Sequence, residues 1–210
     1  MMQKQTGNVC RLARFAAACG LLLAVASGAL ADENAEARFG GPPTNDLAVT
    51  NVKWEAGTKD YSFVTFDLSW SGSWRAKWTE AAEDNVTGKP LELENWDAAW
   101  VFVKFLPEKD AKESIERNAW LHATLDTDAA HHTMPAGATN TVGLSDDPAG
   151  SGAGGKRGVG VFVCRAAIGQ GANNFKGVRL RWAHGADKVD PSKAAVRVHA
   201  LASPSVTSAV

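Results

Sequence analysis

Four residues close together in the chain, Asp126, Asp128, His131 and His132, are the only cluster whose types could hold a metal or pass a proton. Carboxylate and imidazole are both zinc ligands, but a structural zinc site needs four preorganised donors, and these four lie in one loop-like stretch with no cysteine among them. Adjacent histidines also point in different directions in an extended chain. The stretch therefore reads as a solvated loop, and a secreted hydrolase or metal-dependent enzyme centred on His131 and His132 is the alternative reading. Cys164 is the other chemically capable group. It follows the apolar run Val159, Val161 and Val163, with Arg165 beside it, and reads as a small buried hydrophobe; a nucleophile would need an electropositive, partly exposed setting.

Two further patterns fail on context. Gly150, Gly152 and Gly155 fit GxGxxG, and the glycines running to Lys156 approach a phosphate loop. Such motifs sit between a strand and a helix whose first amides hold phosphate. Here SDDPA precedes and the strand-like VGVFV follows, and Arg157 stands where a magnesium-binding hydroxyl belongs, so a Gly-rich hairpin loop is expected. No GxSxG nucleophile elbow occurs. His122, His184 and His199 fall in or beside strand-like runs and read as surface or hydrogen-bonded residues. No catalytic residue, no metal site and no cofactor is assigned.

These residues must be carried by strands. Val64, Phe66, Leu68 and Trp70 alternate with Thr65, Asp67 and Ser69, and the same period of two appears at Ala48, Thr50, Val52 and Trp54. It returns over residues 96–106 and at Leu121, Ala123 and Leu125. Val159, Val161 and Val163 continue it, followed by Val178, Leu180 and Trp182, and by Val196, Val198 and Ala200. Strict alternation marks strands with one buried and one wet face. The expectation is an all-β fold, a two-sheet antiparallel β-sandwich of about seven strands with one long insert. No amphipathic pattern exceeds two helical turns, the best short one being residues 76–84. Residues 126–158 read as irregular.

The domain plan follows. Residues 1–31 read as a secretory signal peptide, with Lys4, Arg11 and Arg14 before an uncharged stretch and Ala29-Leu30-Ala31 at its end. An uncleaved anchor would need ~20 apolar residues, more than this stretch supplies. A lipoprotein cut at Cys19 would leave the apolar LLLAVA in the mature protein. Residues 32–46 read as a linker, 47–202 as the sandwich domain and 203–210 as a disordered tail. Without the leader, Cys10 and Cys19 are lost, Cys164 has no internal partner, and 19 basic residues face 23 acidic ones. That balance gives no nucleic-acid footprint. It fits a chain secreted to the periplasm or surface of a bacterium, with no stable membrane span after cleavage.

Residues 96–106 stand out. Ala99, Val101, Val103 and Phe105 make one apolar side, while Trp96, Trp100 and Phe102 load the other, so both sides of this strand want cover. One reading is that the insert, residues 71–95 with Trp74 and Trp78, folds back as a roof. The other is a ligand surface in which Trp74, Trp78, Trp96 and Trp100 stack on a glycan or meet a cell-surface protein.

The ordered blocks FDLSWSGSWR, NWDAAWVFVKF, WLHATL, GVGVFVCR, GVRLRW and VRVHA resemble the domain at the N-terminal side of secreted bacterial proteins that carry a formylglycine-generating-enzyme-like domain, the sulfatase-modifying-factor family. The likeness spans residues 47–201. It implies an accessory role, because that family's cysteines and its copper or iron site lie in the downstream domain, and no residue here inherits them. The expected function is a secreted non-catalytic binding or scaffold module; the remnant of a truncated sulfatase-modifying-factor-like protein is the other reading.

Overall fold

The computed structural model describes residues 46–108, 120–147 and 155–209. The expected signal peptide, nearly all of the linker and most of the glycine-rich loop lie outside the described residues. The fold is all-β and antiparallel. Its strands are β1 (Ala48–Glu55), β2 (Ser62–Glu80), β3 (Leu91–Leu106), β4 (Leu121–His122), β5 (Ala138–Asp146), β6 (Lys156–Arg165), β7 (Gly169–Trp182) and β8 (Ala195–Ala209). Two short 3-10 segments, Ala82–Asp84 and Ala129–His131, lie between strands.

The long strands β2 and β3 organise everything else. The first half of β2 lies between β1 and β7, and its second half runs beside the start of β3. The second half of β3 lies between β8 on one side and β6 and β4 on the other, with β5 outside β6. All eight strands thus belong to one hydrogen-bonded sheet, where the alternation suggested two separate ones; it folds into two layers because β2 and β7 pack against β3 and β6. Val64, Phe66, Leu68 and Trp70 of β2 and Val178, Leu180 and Trp182 of β7 face Ala99, Val101, Val103 and Phe105 of β3 and Val161 and Val163 of β6 across a single core. Phe105 and Trp182, from strands that do not pair, meet with ring centroids 5.0 Å apart. The segment after β4 stitches the far side: Leu125 bridges to Gly158 and to Trp182, and Thr133 to Arg179.

Five local readings are corrected. The insert does not fold back, because residues 75–80 and 91–96 pair in register as extensions of β2 and β3. At the start of that insert Gly72, at φ 66°, absorbs an irregularity in the pairing and the strand continues. The short helical pattern at residues 76–84 accordingly yields strand followed by a 3-10 turn, since Trp74, Ala76 and Trp78 alternate with Arg75, Lys77 and Thr79 and the cross-strand pairs reward that period. Within residues 126–158 lies β5, where only Val142 and Leu144 mark a period of two among Ala, Thr, Asn, Gly, Ser and Asp. Trp54 is not core: Asn51, at φ 54°, breaks the register of edge strand β1, and Trp54 is left 37% exposed. β8 also runs past Ser203, where the sequence suggests a tail, and pairs with β3 as far as Ala209.

Candidate ligand-binding face

Directly opposed residues in an antiparallel sheet project to the same side, so register decides what the outer side of β3 presents. Trp100 lies opposite Phe162 of β6 and Leu201 of β8. Phe102 lies opposite His199, and Lys104 opposite Arg197 of β8 and His122 of β4. Three rows result. In the first, the rings of Trp100 and Phe162 are 4.6 Å apart, and Leu201 is 58% exposed. In the second, Phe102 is held between His122 and His199 at 5.4 and 5.2 Å, with all three rings nearly parallel. In the third, the Arg197 guanidinium rests over Trp120 at 4.0 Å from the ring centre.

Glycine makes the first row. The six-membered ring of Trp100 occupies the space where side chains of Gly143 and Gly160 would begin, so that a Cβ at either position would sit 2.4 Å from it. The indole can therefore reach across β6 to β5. Trp100, Phe102 and Phe162 are all half-buried.

The outer side of β2 and β7 is built differently. There Arg179 covers Phe63 and pairs with Glu55 at 2.8 Å, and Arg181 covers Tyr61 and pairs with Asp126 at 3.3 Å. Phe63 and Tyr61 thus each carry a guanidinium lid whose charge is already matched.

The four tryptophans singled out from sequence do not form one platform. Trp96 and Trp100 share the outer side of β3, with Trp96 under the Arg75 guanidinium at 4.7 Å. Arg75 opposes Trp96, so Trp74 and Trp78 alternate to the other side, where Trp74 is buried and Trp78 half-buried. Phe162, Leu201, His122 and His199 complete the face. Arg197, His199 and Leu201 already alternate with apolar residues in the sequence, but only the pairing of β8 with β3 brings them beside Trp100.

Asp97, Asp187 and His132 are tied into the fold by hydrogen bonds. Asp97 is buried and accepts from Trp70 Nε1 (2.5 Å), Ser73 Oγ (2.8 Å) and the Trp74 amide (2.9 Å). Asp187 likewise accepts from Trp182 Nε1 (2.6 Å) and from the amide and hydroxyl of Thr124 (2.9 and 2.7 Å). His132 is buried, its Nδ1 accepting from the Arg181 amide and its Nε2 facing the Asp126 carbonyl, both at 3.1 Å. These bonds require the neutral ring with its proton on Nε2. His131 is exposed, with Nδ1 3.0 Å from Asp126 Oδ1. Among the described residues no three His, Cys, Asp or Glu side chains are grouped so as to hold a metal ion. Cys164 is buried, and burial pushes its thiol up to about 11, with Arg75 Nη1 3.9 Å from Sγ. At neutral pH it stays a thiol and a weak nucleophile.

Burial holds the His132 pKa below its ordinary value of 6.5. Between that depressed value and 6.5 the unfolded chain binds a proton that the folded one does not. The stabilisation is therefore complete above pH 6.5 and is lost as pH falls through the folded value. The urea midpoint is expected to drop between pH 7.5 and 5.5, with the His132 ring in NMR more than half neutral at pH 6.5. A His132 that titrates above 6.5 would contradict this geometry.

The fold and face together define an antiparallel all-β domain with one aromatic outer side. No protein-family model, no curated protein and no solved structure matches the chain.

Proposed function

We propose that this chain is a non-catalytic binding module, exported to the periplasm or cell surface of a bacterium, and that it holds a glycan on the outer side of β8, β3 and β6. The supporting observation is the first row, in which Trp100 is braced on the backbone of Gly143 and Gly160 beside Phe162 and Leu201. A rigid indole seated on backbone loses little freedom when a sugar ring packs on it, and aromatic side chains supply large apolar contact with few torsions to fix. The architectural use of Asp97, Asp187 and His132 leaves these groups tied to the fold, which suits binding over turnover. The resemblance to accessory domains of formylglycine-generating-enzyme-like proteins agrees with this role. No helix among the described residues is long and apolar enough to cross a membrane.

Titration of the purified protein with a polysaccharide panel, read by tryptophan fluorescence, tests the reading. At least one glycan is expected to shift the emission, and Trp100→Ala to weaken its binding about tenfold, equivalent to ~1.4 kcal/mol, with the far-ultraviolet spectrum unchanged. A panel without any shift, or affinity indifferent to Trp100, would sink it.

A further inference from the structure

We infer that the glycan is acidic, a polysaccharide bearing carboxylate or sulfate groups, and that Lys104 and Arg197 read its charge. The inference rests on the binding face proposed above. Lys104 and Arg197 are direct cross-strand partners on the outer side of the sheet. Like charges placed so are destabilising. Elsewhere on the sheet surfaces cations meet acids: Arg75 meets Glu94, Lys77 meets Glu92, Lys176 meets Asp67, Arg179 meets Glu55 and Arg181 meets Asp126. Among the described residues no carboxylate forms an ion pair with Lys104 or Arg197.

None of the residues that make up the three rows is acidic. The positive field is felt locally: burial first, then Lys104 and Arg197, lower the pKa of His199. Arg197 is also aimed, since its guanidinium is held over Trp120. Trp100 and Lys104 are four residues apart on one strand, roughly 13 Å, so an oligosaccharide, and not a single sugar, reaches both the aromatic row and the cations. Apolar contact at one end and unmatched positive charge at the other fit a chain that alternates sugar faces with acidic substituents.

The test compares polygalacturonate, dextran sulfate and neutral dextran as titrants in one buffer, using wild type, Lys104→Gln, Arg197→Gln, the double variant and Lys59→Gln as a control away from the face. Acidic polymer is expected to bind at least about tenfold tighter than dextran, to weaken with added salt, and to lose about tenfold in the double variant while Lys59→Gln keeps wild-type affinity. Binding of polygalacturonate alone assigns the carboxylate, of dextran sulfate alone the sulfate, and of both a charge-density reader; each supports the inference. Lys104→Gln should leave stability equal or slightly higher, since it relieves repulsion; a merely structural lysine would lower it. Dextran binding as tight as that of the acidic polymers, with loss on Trp100→Ala, would overturn the charge reading and leave the glycan face standing. Unchanged affinity in the double variant, or binding only to vesicles of anionic phospholipid, would overturn it as well.

Discussion

Trp182→Ala is expected to lower stability by about 4 kcal/mol, the middle of the range for a large aromatic removed from a packed core. Trp182 is fully buried, tilts against Phe105 at 5.0 Å and meets the edge of His184 at 6.0 Å. Its backbone also pairs with Ser62 and bridges to Leu125, so the cavity would open where the two layers and the stitching segment meet. Removal of the indole deprives Asp187 of its shortest donor. Trp182→Phe should cost less, about 1 to 2 kcal/mol, because a ring remains and one hydrogen bond is lost. Urea unfolding measures both as a fall in midpoint with an unchanged slope. If the alanine variant unfolds within ~1 kcal/mol of wild type, the core is not centred here.

Asp97→Ala should come next, at about 3 to 4 kcal/mol, since each buried donor left without an acceptor costs ~1 to 3 kcal/mol. Three donors converge on this one carboxylate, and Ser73 Oγ accepts in turn from Asn173 Nδ2 at 2.8 Å, so the knot ties β2, β3 and β7 together. Asp97→Asn keeps an acceptor oxygen and should recover about half of the loss. For a domain of this size each kcal/mol shifts Tm by roughly 2 to 4 °C, which puts the alanine variant about 10 °C below wild type. Equal melting of the Asp, Asn and Ala proteins would mean that the three bonds contribute nothing net.

Period-two alternation made the core of the fold legible because burial on one face imposes it directly. Val64 to Trp70, Val159 to Val163 and Val178 to Trp182 are strands for that reason. β5 is hard to read because only Val142 and Leu144 supply an alternating apolar pair, and Thr139, Asn140 and Thr141 before them lack apolar contrast. The hairpin of β2 and β3 escaped because a glycine that relieves an irregular pairing looks, in one dimension, like a glycine that ends a strand. Trp54 misled because its apparent period passes through Asn51, where the backbone changes hand.

The site was half legible for a related reason. Two apolar sides on residues 96–106 marked β3 as unusual, and Trp96 and Trp100 do share its outer side. Register, however, is a property of pairs of strands far apart in sequence. Nothing local announces that His199 and His122 flank Phe102, or that Arg197 stands against Lys104. Asp97 was overlooked because an acid inside an aromatic run reads as a solvent-facing break, while its carboxylate in fact gathers donors from a neighbouring strand.

The pairing of β3 with β8 has a consequence for when the molecule can assemble. Leu106 is matched to Ala195 and Trp96 to Val206, and across the core Ser62 is matched to Trp182, so each central strand waits for a partner made much later. Such long closures slow the search for the native state. Until the final ribbon arrives, the middle of the sheet keeps an open flank ready to join any other extended chain. A polypeptide with this wiring can close its central ribbon only after its last strand is available.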